Sequence, residues 1–261
     1  MSGRAIEGLL LDIDGVLSVS WEPVPGSIEA MDAFRAAGLP VVLITNTTTH
    51  PRAELAETLN NAGFHLEASR IVTAVTATAQ HLRMSYPSAG VFLLSDGDAR
   101  ADMEGVRLVA TPEDADVIVL GGASEDFSYP VVSEVFRRLM DGARLVAMHR
   151  NLYWKTARGF ELDAGAYVVG LEAAASTTAE VCGKPSAAYF HAALDVLGVS
   201  AGRAAMVGDD VVNDVEGARA AGLTGVLVRT GKYRAGDEER GAPDAVVDRL
   251  ADVPAWLNPP G

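Results

Sequence analysis

Cysteine is nearly absent from this 261-residue chain. With Cys182 alone, no intramolecular disulfide can form, which fits a reducing compartment. No run of eighteen apolar residues occurs, so a membrane-spanning helix is not expected. The N-terminus lacks a cationic start followed by an apolar stretch, so no secretory leader is expected either. Together these point to the cytoplasm. Basic residues are outnumbered, 21 Lys and Arg against 35 Asp and Glu, for a formal charge of −14. That balance argues against non-specific binding to nucleic acid or to an anionic membrane. An anionic substrate would therefore need local positive charge, from a metal or from particular lysines and arginines. Low-complexity segments are absent too, and the tail Pro254 to Gly261 is expected to fray after a short helix.

What is present is ordinary in bulk and unusual in detail. Hydrophobic content of 49% and charged content of 21% suit a globular chain with room for one or two domains. The apolar run Leu9-Leu10-Leu11 stops at Asp12-Ile13-Asp14-Gly15. Such a run fits a strand buried on both faces, and ligands of open α/β sheets bind beyond the carboxyl ends of strands. Met alone, Asp-x-Asp-Gly is more often a turn. It is not alone. Val41-Val42-Leu43-Ile44 ends in Thr45-Asn46-Thr47. Ala204-Ala205-Met206-Val207 ends in Gly208-Asp209-Asp210, with Asp214 following. A weaker strand around Val181-Cys182 ends in Gly183-Lys184-Pro185. Carboxylates, a hydroxyl with backbone amides, and an ammonium are the inventory of a site for a phosphate and a divalent metal. Cys182, inside a buried strand, reads as core rather than nucleophile.

Strand and helix patterns alternate almost throughout, which implies βαβ units. Ile28, Met31 and Phe34 mark one helix face, and Leu55, Leu59 and Ala62 a second. Ala187, Phe190, Leu194 and Leu197 mark a third. The interval between Thr45 and Lys184 is far longer than the others, so an inserted domain belongs there. It has its own rhythm: strands at Val91 to Leu94, Val117 to Leu120 and Leu145 to Met148, and a helix with Val132, Val135, Phe136, Leu139 and Met140 on one face. The expected fold is α/β, a Rossmann-like three-layer core with a mainly parallel sheet, residues 1–75 and 179–261, plus an inserted α/β cap at 76–178.

In order and spacing, Asp12-Ile13-Asp14-Gly15-Val16-Leu17, Thr45-Asn46, Gly183-Lys184-Pro185 and Gly208-Asp209-Asp210 with Asp214 resemble the four motifs of the haloacid dehalogenase-like phosphatases. Within that family the resemblance is to the class IIA group, which has a large α/β cap between the second and third motifs. Phe127-Ser128-Tyr129, Tyr153-Trp154-Lys155 and Arg229-Thr230-Gly231-Lys232-Tyr233 resemble the subgroup that contains phospholysine phosphohistidine inorganic pyrophosphate phosphatase. Animal members of that subgroup carry Ser where this chain has Asp14, so their substrates are not carried over.

The resemblance implies a Mg²⁺-dependent phosphatase for a small phosphorylated compound. Asp12 would be the nucleophile and form an aspartyl-phosphate. Asp14 would protonate the leaving oxygen and then deprotonate the attacking water. Thr45 and the amides of Asn46 and Thr47 would hold phosphoryl oxygens, particularly if they open a helix, and Lys184 would add fixed positive charge. The metal would take Asp12, the Asp14 carbonyl and Asp209, with Asp210 and Asp214 as ligands or supports. His149, Arg150, Asn151, Tyr153, Trp154 and Lys155 are candidates for contact with substrate. His50, His65, His81 and His191 show no metal-ligand spacing. Transfer to an acceptor other than water, hydrolysis of pyrophosphate or phosphoamides, and a non-catalytic binding role are the alternatives. A receiver domain is excluded by the chain's length and insert. Oligomeric state stays open, with a homodimer through the cap as one option.

Overall fold

The computed structural model describes residues 6–156 and 159–258, with the backbone alone at 154–156. In chain order the strands are β1 (Gly8–Asp12), β2 (Ser18–Val19), β3 (Glu22–Pro23), β4 (Val41–Thr45), β5 (Ile71–Thr73), β6 (Val91–Leu94) and β7 (Val117–Leu120). They continue with β8 (Arg144–Ala147), β9 (Tyr153–Thr156), β10 (Gly159–Leu162), β11 (Glu180–Val181), β12 (Ala204–Gly208), β13 (Thr224–Val228) and β14 (Ala245–Val247). The longer helices are α1 (Ser27–Ala36), α2 (Arg52–Asn61), α3 (Ala74–Ser85), α4 (Tyr129–Met140), α5 (Ala164–Ala175) and α6 (Ala187–Leu197).

The chain divides into two compact units. The first comprises Met1–Thr45, Arg52–Val72 and Lys184–Gly261, and the second Asn46–Pro51 and Thr73–Gly183. The second unit therefore interrupts the first in sequence. It extends beyond the expected 76–178 at both ends and takes in the short segment after Thr45.

Within the first unit, six strands run in the order β14-β13-β12-β1-β4-β5. The pairs β1–β4, β1–β12, β12–β13 and β13–β14 are parallel. Every residue of β1 and β12 is buried, as apolar runs without polar alternation require. Alternate side chains point to opposite faces. Leu9 and Leu11 join Leu43, Val207 and Val226 in a core closed by Met31 and Phe34 of α1 and Leu55 and Leu59 of α2. On the other face, a Cβ added to Gly8 would meet Leu197 of α6 at 3.0 Å. The result is three layers. Each fully buried Leu or Phe contributes roughly 1.5–3 kcal/mol relative to exposure.

The second unit has its own parallel sheet, ordered β11-β8-β7-β6. One face packs Ile118, Leu120, Leu145, Val135 and Val168, and the other packs Val75, Leu82, Leu93, Val119 and Met148. An antiparallel hairpin, β9 with β10, belongs to the same unit. Three expectations need correction. The strand before Lys184 pairs with β8 in this second sheet and is not a strand of the first. Ala187 is exposed and Tyr189 takes its place in the core. Met140, at 60% exposure, ends α4 in solvent. The last expected fraying residues, Pro259, Pro260 and Gly261, lie outside the described residues.

Candidate active site

Register in the first sheet sets the site. Asp12 lies opposite Ile44 across β1–β4, so Thr45 is one step further at the same end. Leu11 lies opposite Val207 across β1–β12, which places Gly208 beside Asp12 and Asp209 just beyond. Parallel strands about 4.8 Å apart thus deliver three of the expected groups to one sheet end.

The acids converge. Asp12, Asp209 and Asp214 are all buried, and one carboxylate oxygen from each lies within 4.8 Å of the others. Between them sits the buried Lys184 ammonium. It donates to Asp12 Oδ1 at 2.7 Å and to Asp214 Oδ1 at 2.7 Å. Lys184 opens the return of the chain to the first unit and leads into α6, whose N-terminus is capped by Ser186. Asp214 comes from a wide helical turn, Val211–Glu216, directly after β12. Its other oxygen accepts the Asp210 amide at 3.1 Å.

Three carboxylates against one ammonium leave an excess of two negative charges in a buried space. Two like charges 4 Å apart cost on the order of 4 kcal/mol at an effective dielectric of 20. The titration behaviour reflects this. Burial, with repulsion from Asp214, pushes Asp209 up to about 6. Burial pushes Asp214 up to about 6, against the pull of Lys184. Burial also raises Asp12, again against Lys184. Burial works against the Lys184 charge, yet Asp12 and Asp214 hold it well above the ordinary lysine range.

A divalent cation fits this donor set. Asp209 Oδ1 is buried and has no hydrogen-bond partner, which is costly for a carboxylate oxygen left dry. The set is all oxygen, as Mg²⁺ prefers, and two positive charges match the excess. Asp210 serves differently. It caps the turn, with Oδ1 accepting from the Val212 and Asn213 amides and Oδ2 from the Asn213 side chain at 2.8 Å. Despite its burial, those Asn213 bonds hold it below the usual carboxylate range.

Asp14 lies two residues past β1 and is exposed, its backbone bridged to Ser18. Gly15, at φ +86, packs on Gly231, at φ +59, and a Cβ on either would collide with the Asp209 carboxylate. Sequence reasoning missed what the segment 229–233 does. The Lys232 amide donates to Asp209 Oδ2 at 2.6 Å, and the Thr230 hydroxyl donates to the Gly15 carbonyl. The Lys232 ammonium is 3.7 Å from Asp210 Oδ2. The usable signal was Thr-Gly-Lys placed directly after a buried strand.

Thr45 is buried at the end of β4. Asn46 and Thr47 group with the second unit, and no helix opens at Thr45: α2 begins only at Arg52. The added support that helix-opening amides would have given is therefore absent here. In the second unit His149 is buried, 3.9 Å from Asp163, and burial lowers its pKa. Arg150 grips Glu172 with two bonds, at 2.7 and 2.9 Å. Asn151 is exposed, and so is Tyr153, its ring edge-on to Phe160. The side chains of Trp154 and Lys155 lie outside the described residues. Cys182 is buried, and burial lifts its thiol to about 12, as a core role requires. His81 bonds Glu180 at 2.7 Å.

A parallel three-layer core whose central strand ends gather three acids and a lysine defines a haloacid dehalogenase-like hydrolase. Two family models match, one described as haloacid dehalogenase-like hydrolase over residues 9–108 and one as HAD-hydrolase-like over 181–253. Human haloacid dehalogenase-like hydrolase domain-containing protein 2 is 38% identical over 91% of this chain and 89% of its own length. Phospholysine phosphohistidine inorganic pyrophosphate phosphatase from Xenopus laevis is 36% identical over 94% of this chain and 90% of its own. The solved structure of p-nitrophenyl phosphatase from Archaeoglobus fulgidus superposes with a TM-score of 0.89 at 27% identity, covering 96% of this chain and 99% of that one. The chain belongs to the haloacid dehalogenase-like hydrolase family and is an enzyme of that family.

Proposed function

We propose that the enzyme is a phosphatase that hydrolyses a small phosphorylated compound through an aspartyl-phosphate on Asp12. The observation that carries this reading is the buried Asp12–Lys184–Asp214 bridge beside Asp209, whose Oδ1 has no partner. Phosphatase names among the relatives and solved neighbours support it.

Asp12 attacks phosphorus as the bond to the leaving oxygen breaks. As a carboxylate it needs no base, and Lys184 fixes its orientation. Asp14, exposed two residues on, gives its proton to the leaving oxygen. It then takes one from the water that cleaves the aspartyl-phosphate, which releases phosphate and frees Asp12. Thr45, at the end of β4, holds a phosphoryl oxygen. Lys184 offsets the charge that gathers on the transferring group. Asp12, Asp209 and the Asp14 carbonyl would hold Mg²⁺, with Asp214 bracing Lys184 and Asp210 bracing the turn. When bound, that ion neutralises the repulsion between the acids and the incoming phosphate. The second unit serves as the cap that selects substrate.

The test is hydrolysis of p-nitrophenyl phosphate by purified protein with Mg²⁺, with and without chelator. Activity is expected only with Mg²⁺, and Asp12→Asn is expected to be folded and inactive. Full activity in Asp12→Asn would remove Asp12 as the nucleophile.

A further inference from the structure

Tyr189 sits in the first turn of α6 with its ring and hydroxyl fully buried. Its hydroxyl receives the Thr45 amide at 2.8 Å. The same oxygen lies 2.8 Å from the Thr45 carbonyl and 2.7 Å from the Val72 carbonyl. A phenol has one proton to give, so it accepts from Thr45 and donates to one of the two carbonyls. The bonded groups belong to neighbouring strands of the sheet, Thr45 as the last residue of β4 and Val72 as the middle residue of β5. These positions are also chain crossings. Thr45 and Val72 are the last residues of the first unit before the chain enters the second, and Lys184 is the first after it returns.

We propose that Tyr189 is a positioning residue for catalysis: its hydroxyl fixes the backbone of Thr45, and so the Thr45 side chain, against the phosphoryl group. The proposal rests on the phosphatase reading above, in which Thr45 binds substrate. Catalytic groups must be held in place, since a misplacement of about 1 Å can cost on the order of a hundredfold. The hydrogen bonds of the Tyr189 hydroxyl go to the backbone of Thr45 and Val72. It acts by removing freedom from Thr45. Ser186, which accepts the Tyr189 amide, locks the ring's own backbone in turn.

The experiment is a double-mutant cycle with p-nitrophenyl phosphate and Mg²⁺. Tyr189→Phe is expected to lower kcat by about tenfold, the scale of one lost buried hydrogen bond. In a Thr45→Ala background the same change should cost less than about twofold, because the residue it positions has gone. A merely structural role would lower activity equally in both backgrounds, and that result overturns the proposal. So does a Tyr189→Phe enzyme with wild-type kcat. Replacing Tyr189 with 4-aminophenylalanine keeps the size, a donor and a lone pair, and should retain activity even if Tyr189→Phe does not fold. A folded, inactive 4-aminophenylalanine variant also overturns the proposal. Thr45→Ala alone separates the two levels of argument. If it is harmless, Thr45 holds no substrate and the wider reading fails with this one. If it is crippled while Tyr189→Phe is silent, only the Tyr189 role falls.

Discussion

Replacing Lys184 with methionine tests the electrostatic reasoning most directly. The side chain is 4% exposed and bonds two buried carboxylates at 2.7 Å. At an effective dielectric of 20, each such attraction is about 6 kcal/mol before the cost of burying the ammonium is subtracted. Removing one partner of a buried pair commonly costs about 3–5 kcal/mol, because the other charges are left uncompensated. Methionine fills most of the volume, so little of the loss would come from a cavity. The metal-free variant should therefore unfold about 6–20 °C lower than wild type at pH 7.5, using about 2–4 °C per kcal/mol for a chain of this size. The deficit should shrink at acid pH. Asp209 and Asp214 are pushed up to about 6 and Asp12 is raised as well; losing the lysine raises Asp12 and Asp214 further, so as pH falls the acids accept protons in place of their lost partner. Thermal unfolding by circular dichroism from pH 5 to 8, with chelator present, measures both effects. A variant within about 1 kcal/mol of wild type at pH 7.5, with no pH trend, would refute the bridge as the organising contact.

Two further outcomes follow from the same geometry. Folded-state pKa values above the ordinary carboxylate value mean that metal-free stability is greatest below about pH 4 for these acids and is lost as pH rises through about 6. Mg²⁺ should reverse that loss, by about 2.7 kcal/mol at a hundred times its Kd, and Asp209→Asn should abolish the stabilisation in a thermal-shift titration. Gly231→Ala should cost about 1–3 kcal/mol through its positive φ, and more through the collision with Asp209. Wild-type unfolding in that variant would mean that the Gly15–Gly231 contact is loose.

Much of this was readable from the chain because strong local patterns and the fold agree. Leu9-Leu10-Leu11 and Ala204 to Val207 are too short and too uniformly apolar for anything but a doubly buried strand, and both end in acids. The strand before Lys184 misled, because a two-residue strand pairs with whichever edge is near, and periodicity does not say which sheet owns it. Tyr189 was hidden by its own chemistry. A helical wheel prefers Ala187, whereas the phenol is buried because its hydroxyl meets three backbone groups on two residues far from it in sequence, Thr45 and Val72. Asn46 and Thr47 do not open a helix, because the next helix begins at Arg52, directly after Pro51. The role of Gly231 needs a partner, Gly15, from the opposite end of the chain.

Asp12 and Lys184 are 172 residues apart. On a ribosome the acid emerges first, and at roughly 5–20 residues per second its ammonium follows about ten to thirty seconds later, with Asp214 later still. The second unit, complete at Gly183, has all its residues synthesised before that ammonium exists. The first sheet cannot close around its central strand until β12 arrives, so the nascent chain carries Asp12 hydrated rather than buried. Synthesis order thus keeps the site open until its counter-charge is at hand.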